Sequence, residues 1–281
     1  MGLKYFMKKL IFLLLFIPSS ALASITFDVT NDVINCGSDA SLDDLNTQGN
    51  GGLTLSAWIQ PTSLGEGSLG CIIRKGDLLS NSGQYTFQIT TNNVIRFQKD
   101  CATGDMTTPS ANNSITLDVW QHVLVTWDGS ATAANAHIYV NGAEVSYGIP
   151  VDGVGAVRSD ASLTFNIGNG TSGTITFGGL ITEVAAFNKI LSANEIAQLY
   201  GGGSVPKKLP ASIDRSSLKG YWPMNENTSG TVPSTGNVIK DWSNNKNDGK
   251  QAGSPVYSAE PNNLPNRSQV FSSTLYSGSA Y

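Results

Sequence analysis

Asp28, Asn31 and Asp32 put three oxygen-bearing side chains into the short run FDVTNDVI. Hard oxygen donors at that spacing suit calcium, which takes about six to eight oxygens, and the three form the candidate metal site of this chain. The same residue types also close Asx turns by accepting backbone N–H groups, a structural alternative that a calcium titration separates. Other chemistry is thinly supplied. Of the six glutamates, Glu66, Glu144, Glu183, Glu195, Glu226 and Glu260, none lies within five residues of another. The paired carboxylates that glycoside hydrolysis requires are therefore not written on one strand. No Gly-x-Ser-x-Gly occurs, and His122 and His137 sit in strand-like contexts without a partner signature. His122, two residues after Trp120, reads as a packed structural residue. Cys36, Cys71 and Cys101 with two distant histidines lack zinc-ligand spacing. An oxidising compartment permits one disulfide among them and leaves an odd thiol. Trp58, Tyr85 and Trp120 are sugar platforms only if they face the concave side of the sandwich, and alternation favours the core for such residues.

The elements that must position these residues are strands. LTLSAWIQP sets Leu53, Leu55, Ala57 and Ile59 on one face and Thr54, Ser56, Trp58 and Gln60 on the other, before Pro61 ends the run. YTFQI and IRFQK repeat the pattern, with Tyr85, Phe87, Ile89, Ile95 and Phe97 inward. HVLVTW offers Val123, Val125 and Trp127 to one side and Leu124 to the other, which predicts burial on both faces. IYVNGAEVSY carries Asn141-Gly142, the dipeptide of a type I′ hairpin turn. One helix interrupts the strands: in LSANEIAQLYG, Ser192 and Glu195 have capping-box spacing, Leu191 and Ile196 form a hydrophobic staple, and Gly201 stands at the C-terminal cap. Strands without β-α alternation mean a sandwich rather than a doubly wound sheet.

Residues 1–23 predict export. Lys4, Lys8 and Lys9 precede the apolar run LIFLLLFI, and Ala21 to Ala23 supply the small residues of a cleavage site. The run is too short to span a bilayer core of about 30 Å as a permanent helix. The mature chain is thus expected to be secreted, periplasmic or displayed on a cell surface, with no lasting membrane insertion. Lys and Arg total 17 against 21 acids, so the weakly negative field gives no reason to expect nucleic acid as a partner.

FDVTNDVI, LTLSAWIQP, WQHVLVTWDGS, IYVNG and ITEVAAFNKILSANEIAQLY together resemble the laminin G-like, concanavalin A-like jelly-roll domains, in that family's order and across nearly all of residues 25–200. The resemblance implies an all-β, two-sheet antiparallel sandwich with one short helix near 192–200, and rim loops that in many relatives bind calcium or glycans. It also implies that a segment similar to LKGYWPMNEN and VIKDWSNNKNDGK usually precedes the FD motif, whereas here it follows at residues 218–252. Those residues either return to complete the same sandwich, the favoured arrangement, or begin a truncated second copy. Residues 201–217 read as a linker and 253–281 as an irregular tail. The jelly-roll glucanases place their acids as Glu-x-Asp-x-x-Glu, which is absent here. Relatives also add an Asp where this chain has Thr182, which weakens the calcium site, and strand alternation would turn Glu183 to the opposite face.

The expected function is recognition or adhesion without catalysis. Glycan is the leading partner, with calcium as a possible aid. The alternative is a structural surface protein contacting cell-surface or matrix proteins.

Overall fold

The computed structural model describes residues 23–48, 51–76, 83–170, 173–226, 231 and 239–259. The expected leader thus lies outside the described residues apart from Ala23. In chain order the strands are β1 (Ala23–Asp28), β2 (Val33–Asn35), β3 (Leu53–Pro61), β4 (Leu69–Lys75), β5 (Tyr85–Thr90), β6 (Val94–Lys99), β7 (Met106–Pro109), β8 (Gln121–Trp127), β9 (Ala136–Val140), β10 (Ala143–Glu144), β11 (Phe165–Ile167) and β12 (Gly178–Phe187). Helix α1 (Ala193–Tyr200) follows, then β13 (Leu218–Trp222), β14 (Lys250–Ala252) and β15 (Val256–Ala259). They make two antiparallel sheets: eight strands ordered β10-β9-β8-β3-β12-β1-β15 with β13 also on β12, and seven ordered β14-β2-β11-β4-β5-β6-β7. This is the all-β sandwich that the alternation predicted, in the jelly-roll form that the resemblance implied. No helix among the described residues is long and apolar enough to cross a membrane.

Period-two patterning decides which side chains meet between the layers. Leu53, Leu55, Ala57 and Ile59 of β3 join Tyr85, Phe87, Ile89, Ile95 and Phe97 of the facing sheet in one continuous core. Leu124 leaves that core and enters a second cluster with Ile196, Leu199 and Leu218, so β8 is apolar on both faces because α1 covers its outer side. The helix is capped as written: Ser192 and Glu195 exchange capping-box bonds and Gly201 closes the helix in the left-handed region at φ +65°. Asn141 and Gly142 have φ of +51° and +75°, the pair of positive values that a type I′ turn between β9 and β10 demands.

The C-terminal segment lies in the same two sheets. β13 pairs with residues 184–187 of β12, directly beyond the stretch that pairs with β1. β14 pairs with β2, and β15 with the outer edge of β1. Trp222 is fully buried, stacks on Phe165 at 5.1 Å, and donates its indole N–H to the Asn247 carbonyl at 2.8 Å. Burial of one such side chain stabilises by roughly 1.5–3 kcal/mol or more, which explains why this strand docks. Two expectations differ here. Leu209 and Ile213, in the segment read as a linker, are buried under α1 and β13. Val256–Ala259, read as irregular tail, form β15 because β1 otherwise presents an open edge.

Candidate functional site

The outer face of the seven-stranded sheet carries the chemistry. Polar residues stand opposite the core on six of its strands, and the antiparallel register brings them into line. Asn35 pairs with Asn166, Asn166 with Arg74, Arg74 with Thr86, Thr86 with Gln98, and Gln98 with Thr107. One cross-strand row of polar side chains therefore spans β2, β11, β4, β5, β6 and β7. Gln88 and Arg96 face each other in the next row of the same face. Arg74, Gln84, Thr86, Gln88, Arg96 and Gln98 line a groove of about 90 Å³, with Asp100, Leu69 and Ile175 at its borders.

The groove is held together from within. The Arg74 guanidinium donates to Gln84 Oε1, and the Gln88 amide, oriented to satisfy both groups, accepts from Arg96 Nε at 3.2 Å. Gln98 Nε2 reaches Asp105 Oδ2 at 3.2 Å. Burial lowers the pKa of Arg96, so its charge sits where water screens it weakly. Burial, and then the charge of Asp105, raise the pKa of Asp100. The result is a floor of planar amides and guanidinium groups in which Arg74, Thr86 and Gln88 are buried while Gln84, Arg96 and Gln98 keep partial exposure. Such a floor can hydrogen-bond a polyhydroxylated ligand at several points. The signal was present in the sequence: Thr86, Gln88, Arg96 and Gln98 are the alternate positions of YTFQI and IRFQK, whose inward partners alone were given a role.

A second arrangement has catalytic residue types without catalytic access. Ser56 Oγ lies 2.8 Å from His122 Nε2, and Glu183 and Tyr221 line the same cavity of about 10 Å³ beneath α1. Tyr200 stacks against both His122 and Trp58 and closes it. No substrate enters so small a space, and burial pushes the His122 pKa down to about 3, far from that of an effective general base. His122 is a packed core residue. Glu183 reaches this cavity because β12 bulges between Thr182 and Ala185 and Glu183 itself takes φ +53°. The expected alternation therefore fails at that residue: Glu183 turns to the same outer side as Trp58, where its carboxylate accepts from the Tyr221 hydroxyl. Thr182 donates to the Pro223 carbonyl at 2.9 Å.

Asp28, Asn31 and Asp32 do share one corner, between β1 and β2, where both Asp32 oxygens and Asp28 Oδ1 are turned to the backbone and Asn31 is exposed. Asp32 is 1% exposed. Its Oδ2 accepts from Asp28 N–H at 3.1 Å and its Oδ1 from Ser254 N–H at 2.6 Å. Asp28 Oδ1 accepts from Thr30 N–H at 2.9 Å, closing an Asx turn. Burial raises the pKa of Asp32 in spite of those two N–H groups. Val29 and Asn31 take the positive φ that bends the corner. A calcium ion needs oxygens directed at one point; as the structure stands, Asp28 and Asp32 serve a turn that ties the segment after β14 to the corner after β1. Among the described residues no group of three or more His, Cys, Asp or Glu is arranged to hold a metal.

The aromatic candidates are also accounted for. Trp58, Tyr85 and Trp120 are all buried, so none is a platform for sugar. Trp242 is the large aromatic most exposed among the described residues, at 52%. Cys36, Cys71 and Cys101 are buried thiols without a disulfide.

No curated protein matches the chain. Among solved structures, a candidate carbohydrate-binding protein from Bacteroides ovatus superposes with a TM-score of 0.50 at 15% identity, over 86% of this chain and 61% of its own length. The chain thus spans about three-fifths of that relative. A heptameric SAP-like pentraxin from Limulus polyphemus (TM-score 0.44, 13% identity, 67% of this chain and 86% of that one) is also similar. So is the CBM40 of the Ruminococcus gnavus IT-sialidase, bound to α2,3-sialyllactose (TM-score 0.44, 16% identity, 63% and 96%). The family model described as the concanavalin A-like lectin/glucanases superfamily matches residues 35–197, more than half of the sequence. With two facing antiparallel sheets and that match together, the chain belongs to the concanavalin A-like lectin/glucanase superfamily.

Proposed function

We propose that this chain is a non-catalytic carbohydrate-binding domain that takes its ligand on the outer face of the seven-stranded sheet. The observation that carries the reading is the unbroken polar row from Asn35 to Thr107 across six strands, flanked by the Gln88 and Arg96 pair. Amide, guanidinium and hydroxyl groups in fixed register match the vicinal hydroxyls of a sugar. The similarity to a candidate carbohydrate-binding protein supports the same direction. Hydrolysis is not proposed, because among the described residues Asp100 is the one carboxylate lining the groove and a glycosidase works with two. No aromatic residue is among the described residues lining the groove, so affinity rests on hydrogen bonds of about 0.5–1.5 kcal/mol each. Several of these give dissociation constants on the order of 0.1–1 mM. Calcium plays no part in this reading, since both Asp32 oxygens and Asp28 Oδ1 accept backbone N–H groups. The N-terminal leader pattern supports action outside the cytoplasm.

A glycan array probed with the wild-type chain and with Arg96→Ala tests the proposal: hits that vanish in the variant support it, and hits that persist move the ligand elsewhere. A second reading has its own observation. Ile149, Val151 and Val154 are 85%, 54% and 58% exposed along a segment that bridges to β7 at the sheet edge, an apolar strip suited to a protein contact. An empty array together with concentration-dependent association in sedimentation favours that alternative.

A further inference from the structure

At the end of the sandwich where β4 and β6 run out, two lysines occupy inward positions. Lys99 continues the face of Ile95 and Phe97, Lys75 that of Ile73, and both are fully buried. A single buried carboxylate, Asp160, stands between them. Its Oδ2 lies 3.4 Å from Lys99 Nζ and its Oδ1 lies 3.8 Å from Lys75 Nζ. Lys75 has a closer partner in Asp43, at 2.6 Å. Lys99 donates to the Gly83 carbonyl at 2.5 Å and otherwise faces aromatic rings, 5.7 Å from the centre of Tyr85 and 5.9 Å from that of Trp127.

The surroundings of Asp160 resemble an acyl-transfer site more than a simple ion pair. Its Oδ1 also accepts from Asp44 N–H at 2.8 Å. A backbone donor and the Lys75 ammonium thus converge on the oxygen where charge would collect if a nucleophile added to Cγ. The nucleophile is close at hand, with Lys99 Nζ 3.4 Å from the Asp160 Oδ2 that it would displace. Burial draws the two partners toward their neutral forms, lowering the pKa of Lys99 and raising that of Asp160. A neutral amine beside a neutral carboxylic acid, with bulk water excluded, is the reactive state for condensation.

We propose that Lys99 Nζ and Asp160 Cγ join in an intramolecular isopeptide bond, with release of one water. One proton passes from the ammonium to Asp160 Oδ2. The amine lone pair then adds to Cγ while Oδ1 takes the negative charge under Asp44 N–H and Lys75. The Cγ–Oδ2 bond breaks, and Oδ2 departs as water carrying a second proton from the nitrogen. No oxidant, reductant or cofactor enters the balance. The product is also satisfied where it forms: the amide N–H keeps the Gly83 carbonyl as acceptor, and the amide oxygen keeps Asp44 N–H as donor. The bond would tie β6 to the loop before β11 across a sequence separation of 61 residues, at the end of the sheet whose other face bears the groove.

Intact-mass measurement of the purified, denatured full chain decides the matter. The bond lowers the mass by about 18 Da, one water, relative to the sequence, and trypsin then yields a branched peptide joining the segments around Lys99 and Asp160, uncut after Lys99. Lys99→Met and Asp160→Ala, measured alongside, should show their full sequence masses. A wild-type chain at full mass after prolonged incubation at 37 °C overturns the proposal. So does a loss of water that fragmentation places at an Asp-Gly succinimide, such as Asp128-Gly129, in place of the branched peptide.

Discussion

Protonation of His122 should set much of the acid sensitivity of this fold. The ring is 1% exposed. Nε2 is bonded to Ser56 Oγ, and Nδ1 has no hydrogen-bond partner among the described residues. Trp58, Tyr200, Tyr221, Glu183 and Lys207 are the neighbours from the surrounding segments. Burial holds the folded-state pKa at about 3 against an ordinary 6.5. Between those values the unfolded chain binds a proton that the folded chain refuses, so stability rises with pH across this window and falls as the solution is acidified. The full depression of about 3.5 units corresponds to roughly 5 kcal/mol at 1.36 kcal/mol per unit. Going from pH 7.5 to pH 5 should already remove about 2 kcal/mol, or some 4–8 °C in Tm for a domain of this size. Asp32, Asp100, Asp160 and Glu226 have raised pKa values and act in the opposite sense at lower pH. The clean measurement is therefore a difference: urea unfolding of wild type and His122→Gln at pH 7.5, 6 and 5. The advantage of wild type should shrink by about 2 kcal/mol over that range. A difference that stays flat with pH, or an NMR titration of His122 in the folded state with a midpoint near 6.5, refutes the reasoning.

Three further outcomes follow from the same structure. Arg96→Ala should weaken glycan binding about tenfold, the loss of one charged hydrogen bond of about 1.5 kcal/mol, with an unchanged circular dichroism spectrum; unaltered affinity in calorimetry would remove the groove from the site. Trp222→Ala should cost about 3–5 kcal/mol in denaturant unfolding, because the indole fills core space against Phe165 and gives up its bond to Asn247. A cost below about 1 kcal/mol would mean that β13 contributes little to the sandwich. Calcium added to chelator-treated protein should give neither heat nor a thermal shift; saturable heat that disappears in Asp28→Asn would restore a cation to that corner.

The fold was legible where the local pattern and the tertiary surroundings agree. Alternation in LTLSAWIQP assigns Leu53, Leu55, Ala57 and Ile59 to the core because one face of β3 meets the other sheet and nothing else competes. Capping residues Ser192 and Gly201 act within a few positions of themselves, so α1 is readable from its own sequence. Glu183 was misread because a bulge inserts one residue into the alternation, and the tolerance of a positive φ at a glutamate is not a sequence signal. Asp28 and Asp32 were ambiguous for a different reason. Ligand and turn chemistry use the same oxygens, and the donor that decides, Ser254 N–H, lies more than 200 residues away. The groove falls between these cases. Its residues were visible as the polar half of each strand, but only the register of six strands shows that Asn35, Arg74 and Gln98 form one row.

That row and the buried charges are two sides of the same strands. Lys99 and Gln98 are consecutive in β6, one inward and one outward, and Lys75 and Arg74 are consecutive in β4. Whatever fixes Lys75 and Lys99 behind the sheet also fixes the backbone that aims Arg74 and Gln98 in front of it. A site that relies on hydrogen bonds gains most from such restraint, because each polar contact is weak and tolerates little misalignment. The apolar core could in principle have continued to the ends of both strands, since replacing buried ion pairs by packed hydrophobes is often neutral or stabilising. Two lysines and Asp160 occupy that position instead, and they bind the loops carrying Asp43, Asp44 and Gly83 to it. Joined by the proposed bond or by charge alone, the cluster anchors the loops at one end of the groove, with rigidity of the binding face as the consequence.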